Sequence, residues 1–156
     1  MIEINNLTTN PVDEDFLEKI AEIVLESEPA FAKATAGKGE RLDLSIALIG
    51  PGRMRKLNKR YLGKNQATDV LAFGQNQKSK IKNQKFPIPL ENGLGEVVIC
   101  LREVKKNAKR FGESFEKELA ICLIHGILHL LGYDHEKNEK EAEKMEAKQK
   151  TYLNQL

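Results

Sequence analysis

Phe115-Glu116-Lys117-Glu118-Leu119-Ala120-Ile121-Cys122-Leu123-Ile124-His125-Gly126-Ile127-Leu128-His129-Leu130-Leu131 decides the reading of the fold. Leu119, Ala120, Ile121, Cys122, Leu123, Ile124, Ile127, Leu128, Leu130 and Leu131 cover most of the circumference of a helix, and a helix apolar nearly all round belongs at the centre of a fold. Gly132 is placed to cap its C-terminus. Working outward, Arg102 to Phe111 reads as a preceding helix with Val104, Ala108 and Phe111 inward. Glu136 to Leu156 reads as a charged amphipathic helix with Ala142, Met145, Tyr152 and Leu156 near one stripe.

The N-terminal part supplies the sheet. Ile2-Glu3-Ile4 and Leu42-Asp43-Leu44-Ser45-Ile46-Ala47-Leu48 alternate with period two. Thr68 to Phe73 and Glu96 to Leu101 are two further strands. Helices are expected over Asp13–Ser27, where Phe16, Ile20 and Val24 recur every four residues, and over 53–62 after Gly50-Pro51-Gly52. Residues 29–41 read as a mobile connection and 74–93 as an exposed loop. Strands interleaved with helices predict an α/β (α+β) fold: a small mixed four-stranded sheet packed against about five helices. A chain of 156 residues without an internal repeat fits a single domain, 1–156.

Composition narrows the function classes. With 40% hydrophobic and 31% charged residues, the chain is of soluble globular type. No apolar run reaches about 18 residues, so no membrane span is expected. Met1–Asn6 has neither a basic n-region nor an apolar h-region, so no secretory signal is expected. Cys100 and Cys122, each in an apolar stretch, suit a reducing, cytoplasmic compartment better than a disulfide framework. The net charge of +2 is unevenly spread: residues 1–40 carry nine acids and three bases, whereas 53–85 carry ten bases and one acid, Asp69. A solvated face accounts for such a segment, and so does a polyanionic partner.

All three histidines fall within His125-Gly126-Ile127-Leu128-His129-Leu130-Leu131-Gly132-Tyr133-Asp134-His135. His125 and His129 are one turn apart and share a helix face. Gly132 lets the chain leave the helix sharply and brings His135 back toward them. Three imidazoles with one open position make a catalytic zinc site, although imidazole also serves Cu, Fe and Ni. The spacing His-x3-His-x2-Gly-x2-His is shared with metzincin proteases, but the position of their general-base glutamate is Gly126, which disfavours peptide hydrolysis. The small residue is expected to leave space above the metal for a bulky substrate.

The histidine segment resembles the signature of the YbeY endoribonucleases, bacterial ribosomal-RNA maturation factors. Thr68-Asp69-Val70-Leu71-Ala72-Phe73 is similar to the family's Thr-Asp-Val-Leu-Ser-Phe. Leu57-Asn58 with Tyr61 resembles its Leu-Asn and Tyr-Arg elements, and Gly95-Glu96-Val97-Val98-Ile99 its Gly-Asp-Ile-x-Ile. The resemblance implies an α/β fold, one zinc ion on His125, His129 and His135, and single-strand RNA cleavage in ribosomal RNA maturation and quality control, with an rRNA precursor and the small ribosomal subunit as partners and DNA not expected. One departure bears on catalysis. The family arginine that follows the tyrosine is replaced by Leu62, so either Arg60 or Lys64 substitutes or activity is altered. Arg60 and Asp134 are the catalytic candidates, Asp134 by orienting an imidazole or relaying a proton. Arg53, Arg55, Lys56, Lys59, Arg60 and Lys64 are the candidate phosphate contacts. Two rival readings remain: a zincin-like metallopeptidase, and a ribosome-associated binding factor whose metal is mainly structural.

Overall fold

The computed structural model describes residues 1–29, 31–32, 43–74 and 93–156. Four strands form one sheet in the order β1-β2-β4-β3. They are β1 (Ile2–Asn6), β2 (Asp43–Ile49), β3 (Val70–Gly74) and β4 (Gly93–Cys100). β1 and β2 run parallel from Ile2↔Leu44 to Asn6↔Leu48, and β2 and β4 run parallel through Ile46↔Val97 to Ile49↔Cys100. β3 pairs antiparallel with β4, from Val70↔Ile99 to Gly74↔Gly95, and forms the edge. Five helices of the described residues surround the sheet: α1 (Glu14–Ser27), α2 (Pro51–Leu62), α3 (Leu101–Phe111), α4 (Phe115–Leu130) and α5 (Glu139–Leu153). The mixed sheet and the helix set agree with the fold expected from the sequence.

Capping explains the boundaries. The side chains of Asp13, Ser114 and Asn138 accept hydrogen bonds from the backbone N–H groups of Phe16, Lys117 and Glu141, starting α1, α4 and α5. Pro51 opens α2, where its missing N–H costs nothing, so Gly50 alone ends β2.

The pleat divides the strand side chains between two layers. Leu44, Ile46, Leu48, Val97 and Ile99 join the main core with Leu17, Ile20 and Val24 of α1, Leu119, Leu123, Ile124, Ile127 and Leu128 of α4, and Met145 and Tyr152 of α5. On the opposite face Ala47, Ile49, Leu71, Val98 and Cys100 pack against Met54, with Leu57 and Phe73 alongside. Among the described residues one face therefore carries four helices and the other carries α2.

Some details differ from the sequence reading. Phe111 is 60% exposed rather than inward, because α3 ends at the left-handed Gly112 and the Arg110 guanidinium stacks over its ring at 5.5 Å. Leu156 lies beyond α5 and is exposed. Residues 136–138 precede α5 rather than belonging to it. Within the expected 29–41 connection, Phe31 and Ala32 are helical and bond to the Glu28 carbonyl. Most of that connection, and residues 75–92 with Lys78, Lys80, Lys82 and Lys85, lie outside the described residues.

Candidate metal centre

The centre forms where α4 ends. Gly132, at φ +98°, turns the chain out of the helix. Its N–H donates to the His129 carbonyl and the Tyr133 N–H to the Leu128 carbonyl, both at 3.0 Å. This paired closure satisfies two helix-terminal carbonyls, and it sends the chain back over the last turn. The ring of His135 lies 5.0 Å, centroid to centroid, from those of His125 and His129, which are 4.6 Å from each other. One ring nitrogen from each histidine lies within 4.8 Å of the other two.

The hydrogen bonding selects the ligand atoms. His125 Nδ1 faces Gln149 Oε1 on α5. A carbonyl oxygen only accepts, so Nδ1 carries the proton and Nε2 presents a lone pair. That Nε2 lies 3.0 Å from His129 Nε2. Two ligands on one tetrahedral zinc sit about 3.3 Å apart, given Zn–N bonds of about 2.0–2.1 Å, so the pair fits such an ion closely. Burial lowers the pKa of both His125 and His129 below the ordinary 6.5, with neighbouring histidines adding to the effect, so both rings are neutral near pH 7. Neutral imidazole is the form a metal requires.

Gly126 corrects an expectation. It does not open space above the metal; it faces the sheet. A Cβ there would lie 2.6 Å from Val97 Cγ1 and 3.3 Å from Val70 Cγ2. The glycine lets the histidine helix lie directly on β3 and β4.

A second cluster flanks the first. Asp69, Glu118 and Cys122 bring ligand-type atoms within 4.8 Å of one another. Asp69 is fully engaged: Oδ1 accepts from the Val70 N–H at 2.8 Å and Thr68 Oγ1 at 3.2 Å, and Oδ2 accepts from Asn107 Nδ2 at 3.3 Å and Cys122 Sγ at 3.5 Å. Its carbonyl takes the Cys100 N–H at 2.8 Å. Asp69 thus ties the start of β3 to β4, α3 and α4. Burial, then the Asp69 charge, raises the Glu118 carboxyl and the Cys122 thiol above their ordinary values.

The remaining sequence candidates lie elsewhere. Arg53, Arg55, Lys56, Lys59 and Arg60 are on the outer side of α2 and Lys64 just beyond it, all exposed. Arg55 Nε donates to Asn65 Oδ1 at 2.9 Å. Because α2 covers the other face of the sheet, these residues are not gathered with the histidines. The two regions meet at the β3 edge, where the Tyr61 and Phe73 rings are 4.8 Å apart and Val70 packs toward Gly126. Asp134 is exposed and its carboxylate accepts from the Glu136 N–H at 2.9 Å, fixing the turn before His135, while its charge acts on His129. Leu62 is exposed.

The sequence reading missed Gln149 and Glu28. Glu28, only 1% exposed, accepts hydrogen bonds from Tyr133 at 2.7 Å and from Tyr152, and pairs with Lys148 Nζ at 3.0 Å. Burial alone would raise its pKa; the two hydroxyls and the ammonium outweigh burial and lower it.

The sequence model of the family described as "Endoribonuclease YbeY" matches residues 3–156. The chain belongs to that family. Curated relatives of the same description include one from Bacillus velezensis, 31% identical over 147 residues, covering 94% of this chain and 90% of the relative. Another, from Thermodesulfovibrio yellowstonii, is 35% identical over 141 residues, covering 90% and 84%. The solution structure of a Thermotoga maritima protein superposes with a TM-score of 0.59 at 30% identity, covering 98% of this chain and 87% of that one. The family name denotes RNA-cleaving hydrolases. No helix among the described residues is long and apolar enough to cross a membrane.

Proposed function

We propose that this chain is a zinc-dependent, single-strand-specific endoribonuclease acting in the cytoplasm on ribosomal RNA precursors, in the maturation and quality control of the small subunit. The convergence of three imidazole nitrogens, with His135 exposed, carries this reading, and membership of the family supplies RNA as the substrate.

A cation held there supplies Lewis-acid chemistry, placing charge beside a phosphoryl oxygen and making water more acidic. The protein does the rest. His125, His129 and His135 hold the ion on one side. Gln149 fixes the tautomer and tilt of the His125 ring. Phosphates of a single strand rest on Arg53, Arg55, Lys56, Lys59, Arg60 and Lys64, which position the backbone without reading bases. The strand then passes the β3 edge to reach the histidines. Of the two catalytic candidates Asp134 is the better placed, one residue before His135 and with its charge acting on His129. Arg60 leaves from α2, in the other layer.

The test is removal and restoration of the metal. Chelation abolishes RNA cleavage with folding intact, and stoichiometric zinc restores it. His129→Ala loses metal and cleavage together. Because burial holds the pKa of His125 and His129 below the ordinary 6.5, protons compete with the metal at these two rings only below that value. Undiminished cleavage by verified metal-free protein would refute the assignment.

A further inference from the structure

We propose that Glu28 is the positioning residue of the metal centre: one buried carboxylate holds the His135 loop and the helix behind His125 in mutual register. The inference rests on the reading of the three histidines as metal ligands.

The observation is a junction of three chain segments on one side chain. Glu28 follows the last turn of α1, and its carboxylate is wholly withdrawn from solvent. Oε2 accepts the hydroxyl proton of Tyr133, which lies between the Gly132 turn and His135. Oε1 accepts the hydroxyl of Tyr152 and the ammonium of Lys148, both on α5. Lys148 and Tyr152 flank Gln149, whose carbonyl receives the His125 Nδ1 proton. Two of the three ligands therefore trace back to Glu28: His135 through Tyr133, and His125 through Gln149 and α5. His129 needs no such support, because the helix itself sets it one turn from His125 and the capping turn closes behind it.

The chemistry of the junction demands a carboxylate. Two hydroxyls and an ammonium all donate, and an ionised carboxylate offers about four lone-pair sites with no donor of its own. Such charge-assisted bonds are about twice as strong as neutral ones. Gln at this position has one accepting oxygen for three donors and turns an N–H toward one of them. The Tyr133 arm, the Tyr152 arm or both must then open. The Lys144 ammonium of α5 also lies 5.5 Å from the centre of the Tyr133 ring, and ring-face and apolar contacts fix angles less sharply than hydrogen bonds do.

The experiment titrates the metal-free full-length chain with cobalt(II) and reads both the dissociation constant and the visible d–d absorption, which reports ligand geometry. Outer partners of metal ligands typically contribute 10–100-fold to affinity. Glu28→Gln is expected to weaken cobalt binding within that range and to change the band shape, in protein whose circular dichroism stays native. Tyr133→Phe keeps the carboxylate and cuts only the His135 arm; it is expected to change affinity in the same direction by less, and it decides the matter if Glu28→Gln does not fold. If both variants bind cobalt with the parent's constant and spectrum, even at a lower melting temperature, Glu28 is a packing residue and the proposal is overturned. If the parent chain itself takes up no cobalt, the metal-centre reading fails and this inference with it.

Discussion

The two faces of the sheet are built on different plans. On one, four helices enclose a continuous core, and the histidine cluster sits at its margin with every supporting group tied to another element. On the other, α2 rests on a small patch around Met54 and presents its cations to water. A change on the first face propagates through packing and hydrogen bonds. A change on the second is local, nearly additive and sensitive to salt. If the first face holds a metal precisely placed and the second guides a flexible polyanion, this is the division physics would favour. Coordination tolerates little angular error, while phosphate contacts tolerate much.

The largest separable effect is expected at Gln149. Gln149→Ala removes the hydrogen bond that His125 Nδ1 makes among the described residues and frees both the ring's tautomer and its rotation. Metal affinity is expected to fall about 10–100-fold, with melting of the metal-free chain little altered, because Gln149 is only half-buried. Equal affinity in parent and variant would show that the helix alone orients the ring, and the contrast between the two faces would narrow.

Next comes Gly126. Gly126→Ala puts a methyl group 2.6 Å from a Val97 methyl. Overpacking of this kind costs about 1–3 kcal/mol, and a shift of α4 off the sheet would carry His125 and His129 with it. Chemical denaturation is expected to show the loss, accompanied by weaker metal binding. A gain in stability, as the higher helix propensity of alanine alone would give, would mean that the contact between α4 and the sheet is looser than its geometry.

How much of this was legible in the sequence follows the same division. The apolar run of α4 and the His-x3-His-x2-Gly-x2-His spacing foretold the central helix, its turn and the convergence of the rings, because period and glycine conformation are local properties. The alternation of Leu44, Ile46 and Leu48 foretold the main core in the same way. The strand order and the antiparallel β3 edge are not local and could be stated only as a mixed sheet. The polar supports were missed although each left a trace. Glu28 continues the inward stripe of α1, four residues after Val24 and three after Leu25. Gln149 lies four residues after Met145 and three before Tyr152 on the inward stripe of α5. A polar residue in apolar phase signals a buried hydrogen bond, since burial without a partner is costly. What the pattern cannot supply is the partner, which lies 105 residues along the chain for Glu28 and Tyr133 and 24 for Gln149 and His125. Gly126 shows the converse failure. Its absent side chain was read against the metal, whereas the constraint came from Val97 and Val70 across the layer.

The smallest expected effect is on α2, and it separates a binding face from a solvated one. Lys56 and Lys59 are exposed and have no ion pair among the described residues, so replacing both by alanine leaves folding essentially unchanged. If each neutralises one phosphate, single-strand RNA affinity falls several-fold near 0.1 M salt, alike for all sequences. The slope of log affinity against log salt then flattens by about 1.4, at about 0.7 per phosphate on a single strand. Metal affinity is expected to stay at the parent value, since nothing on α2 touches the histidines. Weaker RNA binding with an unchanged slope would place the loss in packing rather than in phosphate contact. An unchanged affinity and slope would leave α2 a hydrated cover for the sheet, and the RNA path would have to begin on the face that carries the histidines instead.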